Sequence, residues 1–359
     1  QTIKHFAPQL EDNRLIIDIA SGKFGGTVDD FTVSDMQVSS RSGGFKGTIN
    51  GRMTGIPEIE DTRIDAKIQN FMVTSSGLSY FVTQWMREGS LDLDRFAPGT
   101  TFSINAHATG LLDRLDIDAD IRSAIGKVNG DIRLENIITE GTQVGISGKV
   151  STEDLNIGKV IGQKIIGETS MRATVAAKLG NDKAPLSAAI DSLSISRLHI
   201  HGYDYSKISG SGTLSKDAFD GRIACNDPNL NFMTQGRYSK VGNTQDTKYD
   251  FVVMLGDADL NKINIDKRGK SKTRFMLNAD FTKTPSNDIF GDIAVHDLWL
   301  ENSAGSYNIG DISLNSINRA NTTYKMALSS SFAEGSLTGT APVTEFIKDV
   351  LGATVKREL

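Results

Sequence analysis

A single cysteine, Cys225, stands among 359 residues, so no internal disulfide can form and a structural zinc site is excluded. Cys225 shares strand parity with Phe219, Gly221 and Ile223, the setting of an inert buried thiol rather than a reactive one. Prolines number only seven. Those in Gly55-Ile56-Pro57, Ala97-Pro98-Gly99, Asp227-Pro228-Asn229 and Thr284-Pro285-Ser286-Asn287 fall between apolar runs, where they read as turns. Aromatics at 7% and hydrophobics at 38% are lean for so long a chain, which argues against one thick core. No run approaches the ~18 apolar residues of a membrane-spanning helix. The opening residues, QTIKHFAPQLEDN, lack the charged-then-apolar build of a signal peptide, and the abrupt start and finish read as those of a piece of a longer protein. A formal net charge of -5, with Lys and Arg scattered, removes the basic footprint that nucleic acid or an anionic membrane surface would need.

Recognisable chemistry is equally scarce. The chain has no nucleophile elbow, P-loop, zincin helix or dinucleotide fingerprint, and GKFGG at 22–26 lacks the spacing of a phosphate cradle. His199 and His201 read as i, i+2 on one strand face, a spacing some metal sites use, but no second ligand pair accompanies them. Asp116, Asp118 and Asp120 share a face flanked by Arg114 and Arg122; calcium needs a looped cage, which a straight strand does not supply, so they read as a solvated face. The expectation is a protein that is not an enzyme and needs no cofactor and no metal.

What the chain has instead is glycine and alternation. Its 35 glycines are about a tenth of all residues, against a usual ~7%. Period-two patterning recurs throughout: Leu115, Ile117, Ala119 and Ile121 against Asp116, Asp118 and Asp120, for example, or Tyr249, Phe251, Val253 and Leu255 further on. Each strand is expected to have one wet and one dry face, and charged wet faces imply antiparallel pairing. In FKGTINGRMTG, residues 45–55, Phe45, Ile49 and Met53 share their face with Gly47, Gly51 and Gly55. A sheet curling across its own face would need such glycines where side chains collide, leaving unfilled space in a lined groove. Helical spacing interrupts the alternation near 77–88, 154–165 and 343–351. A gapped glycine signature, such as Phe45-Gly47-Ile49-Gly51 and Gly126-Val128-Gly130-Ile132, returns about every 80 residues as a loose hint of repetition.

Three stretches carry a family resemblance: FKGTINGRMTGIPEIEDTRIDA (45–66), ISGKVSTEDLNIGKVIGQKIIGETSM (146–171) and HGYDYSKISGSGTLSKDAFDGRIACNDPNLNFMTQGRY (201–238). In order and joint occurrence they resemble internal segments of the TamB family, translocation and assembly module proteins of the AsmA-like superfamily in two-membrane bacteria. The resemblance implies a mainly β fold, an elongated, curled antiparallel sheet (a β-taco, or open β-groove) with a hydrophobic concave face and two or three short helices. It implies that residues 1–359 form one continuous groove segment from the middle of a periplasmic protein anchored in the inner membrane, the anchor lying outside this chain. The implied function is to shield phospholipid acyl chains in transit between inner and outer membrane. The alternative is a scaffold for assembly of outer-membrane β-barrel or autotransporter proteins. A TamA/BamA-type barrel would be met through regions outside this segment, and nucleic acid is not a partner. The candidate lining comprises Phe45, Ile49, Met53, Ile64, Ile68, Phe102, Ile104, Ile117, Val128, Ile132 and Val175, then Phe251, Val253, Phe275 and Leu277. Alternation alone leaves open whether these line a groove or fill the core of stacked sandwiches.

Overall fold

The computed structural model describes residues 17–339 apart from 42, 57, 80–96, 140, 181–184, 243, 286–288, 320–322 and 331–333. Two compact units emerge, one built from Gln1–Leu186 with Ile195–Ile200, the other from Ser187–Ser194 with His201–Leu359. The fold is mainly β and antiparallel, as the alternating pattern predicts.

In the first unit, nine strands run in chain order: β1 (Ile17–Gly26), β2 (Asp30–Ser40), β3 (Phe45–Thr54), β4 (Arg63–Thr74), β5 (Thr101–Leu111), β6 (Arg114–Ser123), β7 (Gly126–Glu135), β8 (Gly145–Asn156) and β9 (Ile166–Lys178). Each pairs antiparallel with the next. The meander stays open: among the described residues no pairing joins β1 to β9. β10 (Ser187–Ile200) contributes residues to both units. The second unit continues through β11 (Tyr203–Tyr205), β12 (Ile208–Leu214), β13 (Ala218–Asp227), β14 (Leu230–Lys240), β15 (Thr247–Asp259), β16 (Ser271–Lys283), β17 (Ile289–Asn302), β18 (Gly305–Arg319), β19 (Thr323–Ser330) and β20 (Glu334–Gly339). From β12 onward neighbours in sequence are again antiparallel neighbours in space.

Short turns make this meander. Leu112 and Asp113 alone separate β5 from β6, and Ser303 and Ala304 alone separate β17 from β18. In the latter the Asn302 side-chain oxygen accepts from the Ala304 and Gly305 backbone N–H groups at 2.8 and 3.2 Å, an Asx turn. On the solvent faces, cross-strand ion pairs such as Arg52–Asp30 and Arg133–Asp116, at 2.6 and 2.7 Å, are well exposed. Such exposed pairs add little to stability; their larger effect is to keep that face in water.

A repeated irregularity bends the strands. Asp35, Asn70, Asp154 and Asp297 have φ between 48° and 53°, and register shifts occur at each. Every one of these bulges is tied the same way, by a side chain of the following strand. The N–H groups of Asp35, Asn70, Asp154 and Asp297 donate to Asn50 Oδ1, Asn105 Oδ1, Ser170 Oγ and Asp311 Oδ1 at 2.8–3.0 Å. An extra residue in one strand turns the side chains beyond it to the opposite parity and sharpens the local twist. Asx residues suit the site because their short polar side chains tolerate the left-handed conformation. Asn70→Gly should therefore leave stability nearly unchanged, whereas Asn70→Val should cost roughly 1–2 kcal/mol, read as a shift in denaturant midpoint.

Helix is slight. Residues 75–79 are helical where the 77–88 segment was expected, and the remainder of that segment lies outside the described residues, as does 343–351. Within the expected 154–165 segment only α1 (Ile157–Ile161) is helical. Residues 154–156 complete β8, and Gly162 at φ 74° ends the helix. Asn156 caps its start by accepting from the Lys159 N–H at 2.9 Å, and a helix this short lacks the length to stand without packing.

Candidate functional site: the apolar sheet faces

Cross-strand register gathers the first unit's candidate residues onto one face. One row crosses the strands as Met36, Ile49, Ile68, Ala106, Ala119, Gly130, Val150 and Ala173. The next reads Val33, Gly51, Ala66, Ala108, Ile117, Ile132, Gly148 and Val175, and a third Phe31, Met53, Ile64, Gly110, Leu115, Leu134, Ile146 and Ala177. From β2 to β9 every position in these rows is apolar or glycine. With strands ~4.8 Å apart, eight strands make an apolar band roughly 34 Å long. Of these residues only Ala173 is buried; the others are half-covered. A sandwich core would bury its inward side chains against a second layer, so the stacked-sandwich reading does not fit these rows.

One end of the face is closed. Val38, Phe45, Val73, Ala97, Phe102 and Ile125 form a buried cluster, with Leu78 of the helical turn, Leu155 of β8 and Val160 of α1 packed against it. Phe45 and Phe102, each 6% exposed, are thus the packed end of the face and not its open lining. Ile49 and Ile104 border this cluster. Val128 lies beside it, paired with Ile121, while Met53, Ile64, Ile68, Ile117, Ile132 and Val175 belong to the open rows.

Phe71 and Val73 were missed by simple alternation. The bulge at Asn70 switches them onto the face that Ile64, Ala66 and Ile68 occupy. The signal was present: apolar parity changes from even to odd numbers with an Asn at the change.

Three glycines turn out to be covered by rings rather than left beside empty space. A methyl on Gly47 would meet the Phe71 ring edge at 2.5 Å, one on Gly221 would meet the Phe219 ring at 2.7 Å, and one on Gly236 would overlap the Phe251 ring. At these three positions a ring fills the space expected to stay free beside glycine, an arrangement known to stabilise sheets. Phe71 also stacks on Phe45, ring centroids 5.5 Å apart.

The second unit repeats the plan. Val253 pairs with Leu277, Phe251 with Ala279 and Leu255 with Phe275, so all four candidate residues there share one face, half-buried. One end is again packed: Ile208, Cys225, Ala258 and Ile263 are buried. The polar centre of that end is Asp227, 5% exposed. Its carboxylate accepts from Tyr203 Oη at 2.5 Å, the Ser206 N–H and Oγ at 3.0 and 2.9 Å, and the Asn229 N–H at 2.9 Å. Burial works to raise the Asp227 pKa, but the bonds from Tyr203, Asn229 and Ser206 outweigh it and hold the pKa below the ordinary Asp value. Beside it, burial pushes the Cys225 thiol up, so it stays protonated and unreactive at neutral pH. The opposite face is less polar than alternation implies: Met233, Val252 and Met254 are 46%, 37% and 38% exposed there.

The sites weighed for metal come apart. His199 lies on β10 with its ring over Gly167, whereas His201 sits in the turn beyond, at φ 50°, its carbonyl accepting from Asn264 Nδ2 at 3.1 Å. They do not form a pair on one strand face. Asp116 is bound by Arg133 and Asp120 by Arg122, and the bond from Arg133 lowers the Asp116 pKa. Among the described residues no group of three or more His, Cys, Asp or Glu is placed to hold a metal ion.

Comparison of the chain with protein-family models, with curated proteins and with solved structures finds no match. The geometry alone therefore defines the site: in each unit, an open, half-covered apolar sheet face, packed at one end, able to take an elongated apolar ligand or an unfolded protein segment.

Proposed function

We propose that these faces shield the acyl chains of phospholipids moving between inner and outer membrane, as part of a TamB-like periplasmic protein anchored in the inner membrane outside this chain. The observation that carries the reading is the set of unbroken apolar rows from β2 to β9, half-covered and with no second layer over them among the described residues. A two-chain lipid in water exposes about thirty methylenes, at ~0.8 kcal/mol each a penalty on the order of 20 kcal/mol. A continuous apolar face offsets most of that cost at every position along it. The task needs no nucleophile, no metal and no nucleotide, so the proposal assigns no catalytic step.

Native mass spectrometry of gently extracted protein tests this: bound phospholipid is expected on the wild type. Ile117→Arg and Ile132→Glu, both in the open rows, should lower lipid occupancy at least tenfold with far-UV circular dichroism unchanged. Ile104→Arg is a poorer test, since Ile104 packs against the buried cluster and its loss would also destabilise the unit. Lipid-free wild type, or full occupancy in both variants, would sink the proposal. The rival reading, a scaffold for outer-membrane β-barrel proteins, draws on β1, which pairs only with β2 among the described residues and exposes Ile19 and Phe24 at 54% and 57%. Such an edge can take an added strand, and crosslinks from β1 to unfolded barrel proteins in place of lipid would favour it.

A further inference from the structure

The second unit's apolar face has a polarity gradient along its strands, and resting on the lipid reading above, we infer that it sets the orientation of a phosphate-bearing diacyl lipid, headgroup at one rim and tails toward the packed end. The decisive feature is an aromatic ladder. Phe219, Tyr238, Tyr249 and Phe281 are direct cross-strand partners on β13 to β16, with successive ring centroids 6.0, 6.0 and 5.0 Å apart. On one side of this ladder the face continues apolar to Phe275, six residues along β16. On the other, two residues outward on the same face, the partners are Lys240, Thr247 and Lys283.

Apolar rows, then tyrosines, then lysines is the order that side chains adopt where hydrocarbon meets water. Tyrosine places its ring in the apolar layer and its hydroxyl at the polar boundary, and lysine extends its stem so that the ammonium reaches the aqueous side. Both tyrosines are half-buried, and neither hydroxyl has a hydrogen-bond partner among the described residues. Lys240 is already neutralised by Asp217 at 2.8 Å. Lys283, half-buried on the ligand face, pairs with no carboxylate among the described residues. It is therefore the cation placed for a phosphate.

Length agrees with this orientation. Phe281 to Phe275 spans roughly 20 Å at ~3.4 Å per residue, while one leaflet of a bilayer holds acyl chains in about 15 Å of hydrocarbon. A chain entering beneath the tyrosines ends before the packed rows around Cys225 and Ala258. The occupant to which this geometry commits is a diacyl lipid with an anionic phosphodiester headgroup, held by its tails and oriented by its charge.

Competition binding with the whole chain tests this, using phosphatidylglycerol and the uncharged diacylglycerol of the same acyl chains. Wild type is expected to favour phosphatidylglycerol about tenfold. Lys283→Gln should cut that preference to less than threefold while leaving diacylglycerol affinity unchanged. Tyr249→Phe, which removes only the hydroxyl, should reduce the preference by a smaller factor and leave folding intact. Equal binding of both lipids by wild type, or an undiminished preference in Lys283→Gln, would overturn the orientation while the apolar face kept its role. If neither lipid binds wild type, the shielding proposal itself fails. Loss of both affinities together in Lys283→Gln would show a packing role for Lys283 and also overturn the inference.

Discussion

Gly148→Ala is expected to destabilise the first unit by roughly 3 kcal/mol, with accelerated amide exchange across β7 and β8. Gly148, the fourth residue of β8, sits opposite Ile132 at φ +145°, a conformation that side-chain-bearing residues rarely adopt. A methyl group there would overlap the Asp131 carbonyl oxygen and lie 2.9 Å from the Ile132 Cα. Both obstacles are backbone, so neither can rotate away; the two strands would have to part. Overpacking of this kind typically costs 1–3 kcal/mol, and the unfavourable φ adds about 1. Gly51→Ala is the matched control on the same row. Its φ is ordinary and its nearest obstacle, the Asp65 carbonyl oxygen, is 3.3 Å away, so the change should stay within about 1 kcal/mol. Equal exchange behaviour in the two variants would show that β8 can shift freely against β7, and the apolar rows would lose their fixed register.

Asp227→Ala should cost the second unit about 3–4 kcal/mol, by leaving the Tyr203 hydroxyl, two Ser206 donors and the Asn229 N–H without their shared acceptor. Acid should reproduce part of that loss. Because the native carboxyl has a lowered pKa, its contribution is complete above the ordinary Asp value near 3.9 and is lost as pH falls through the lower native value. Asp227→Asn should consequently be less stable than wild type at pH 7, with the difference shrinking below about pH 4. Denaturant titrations at pH 7 and pH 3, followed by a probe near Tyr203, measure both effects. A difference that stays constant between the two pH values would mean that Asp227 does not act as an ionised hub. The network also explains why the turn at Asp227-Pro228-Asn229 is so short: the carboxylate does the work of several backbone partners at once.

Much of the first unit's apolar face was legible residue by residue. Ile49, Met53, Ile64, Ile117 and Ile132 were all read from period two, because a strand sends alternate side chains to opposite sides wherever it runs straight. The bulges defeated that rule. At Asp35, Asn70, Asp154 and Asp297 the backbone turns left-handed and parity switches, and period two loses residues such as Phe71 and Val73 beyond such a switch. Phe45 and Phe102 share that face but lie in its buried cluster. Their burial comes from Leu78, Ala97, Leu155 and Val160, remote in sequence, and no local pattern states which end of a strand a distant helical turn will cover. The pairing of His199 with His201 failed for a related reason, since β10 ends between them.

Alternation, turn chemistry and charge placement were decided by the sequence alone, for those depend on each residue and its nearest neighbours: antiparallel strands, one water-facing side, no basic footprint. Tertiary structure alone settled which apolar side chains are packed and which stay half-covered, that Gly47, Gly221 and Gly236 lie against aromatic rings, and that Tyr238, Tyr249 and Lys283 stand in adjacent rows. These properties belong to cross-strand register, and register emerges only when strands tens of residues apart align their hydrogen bonds.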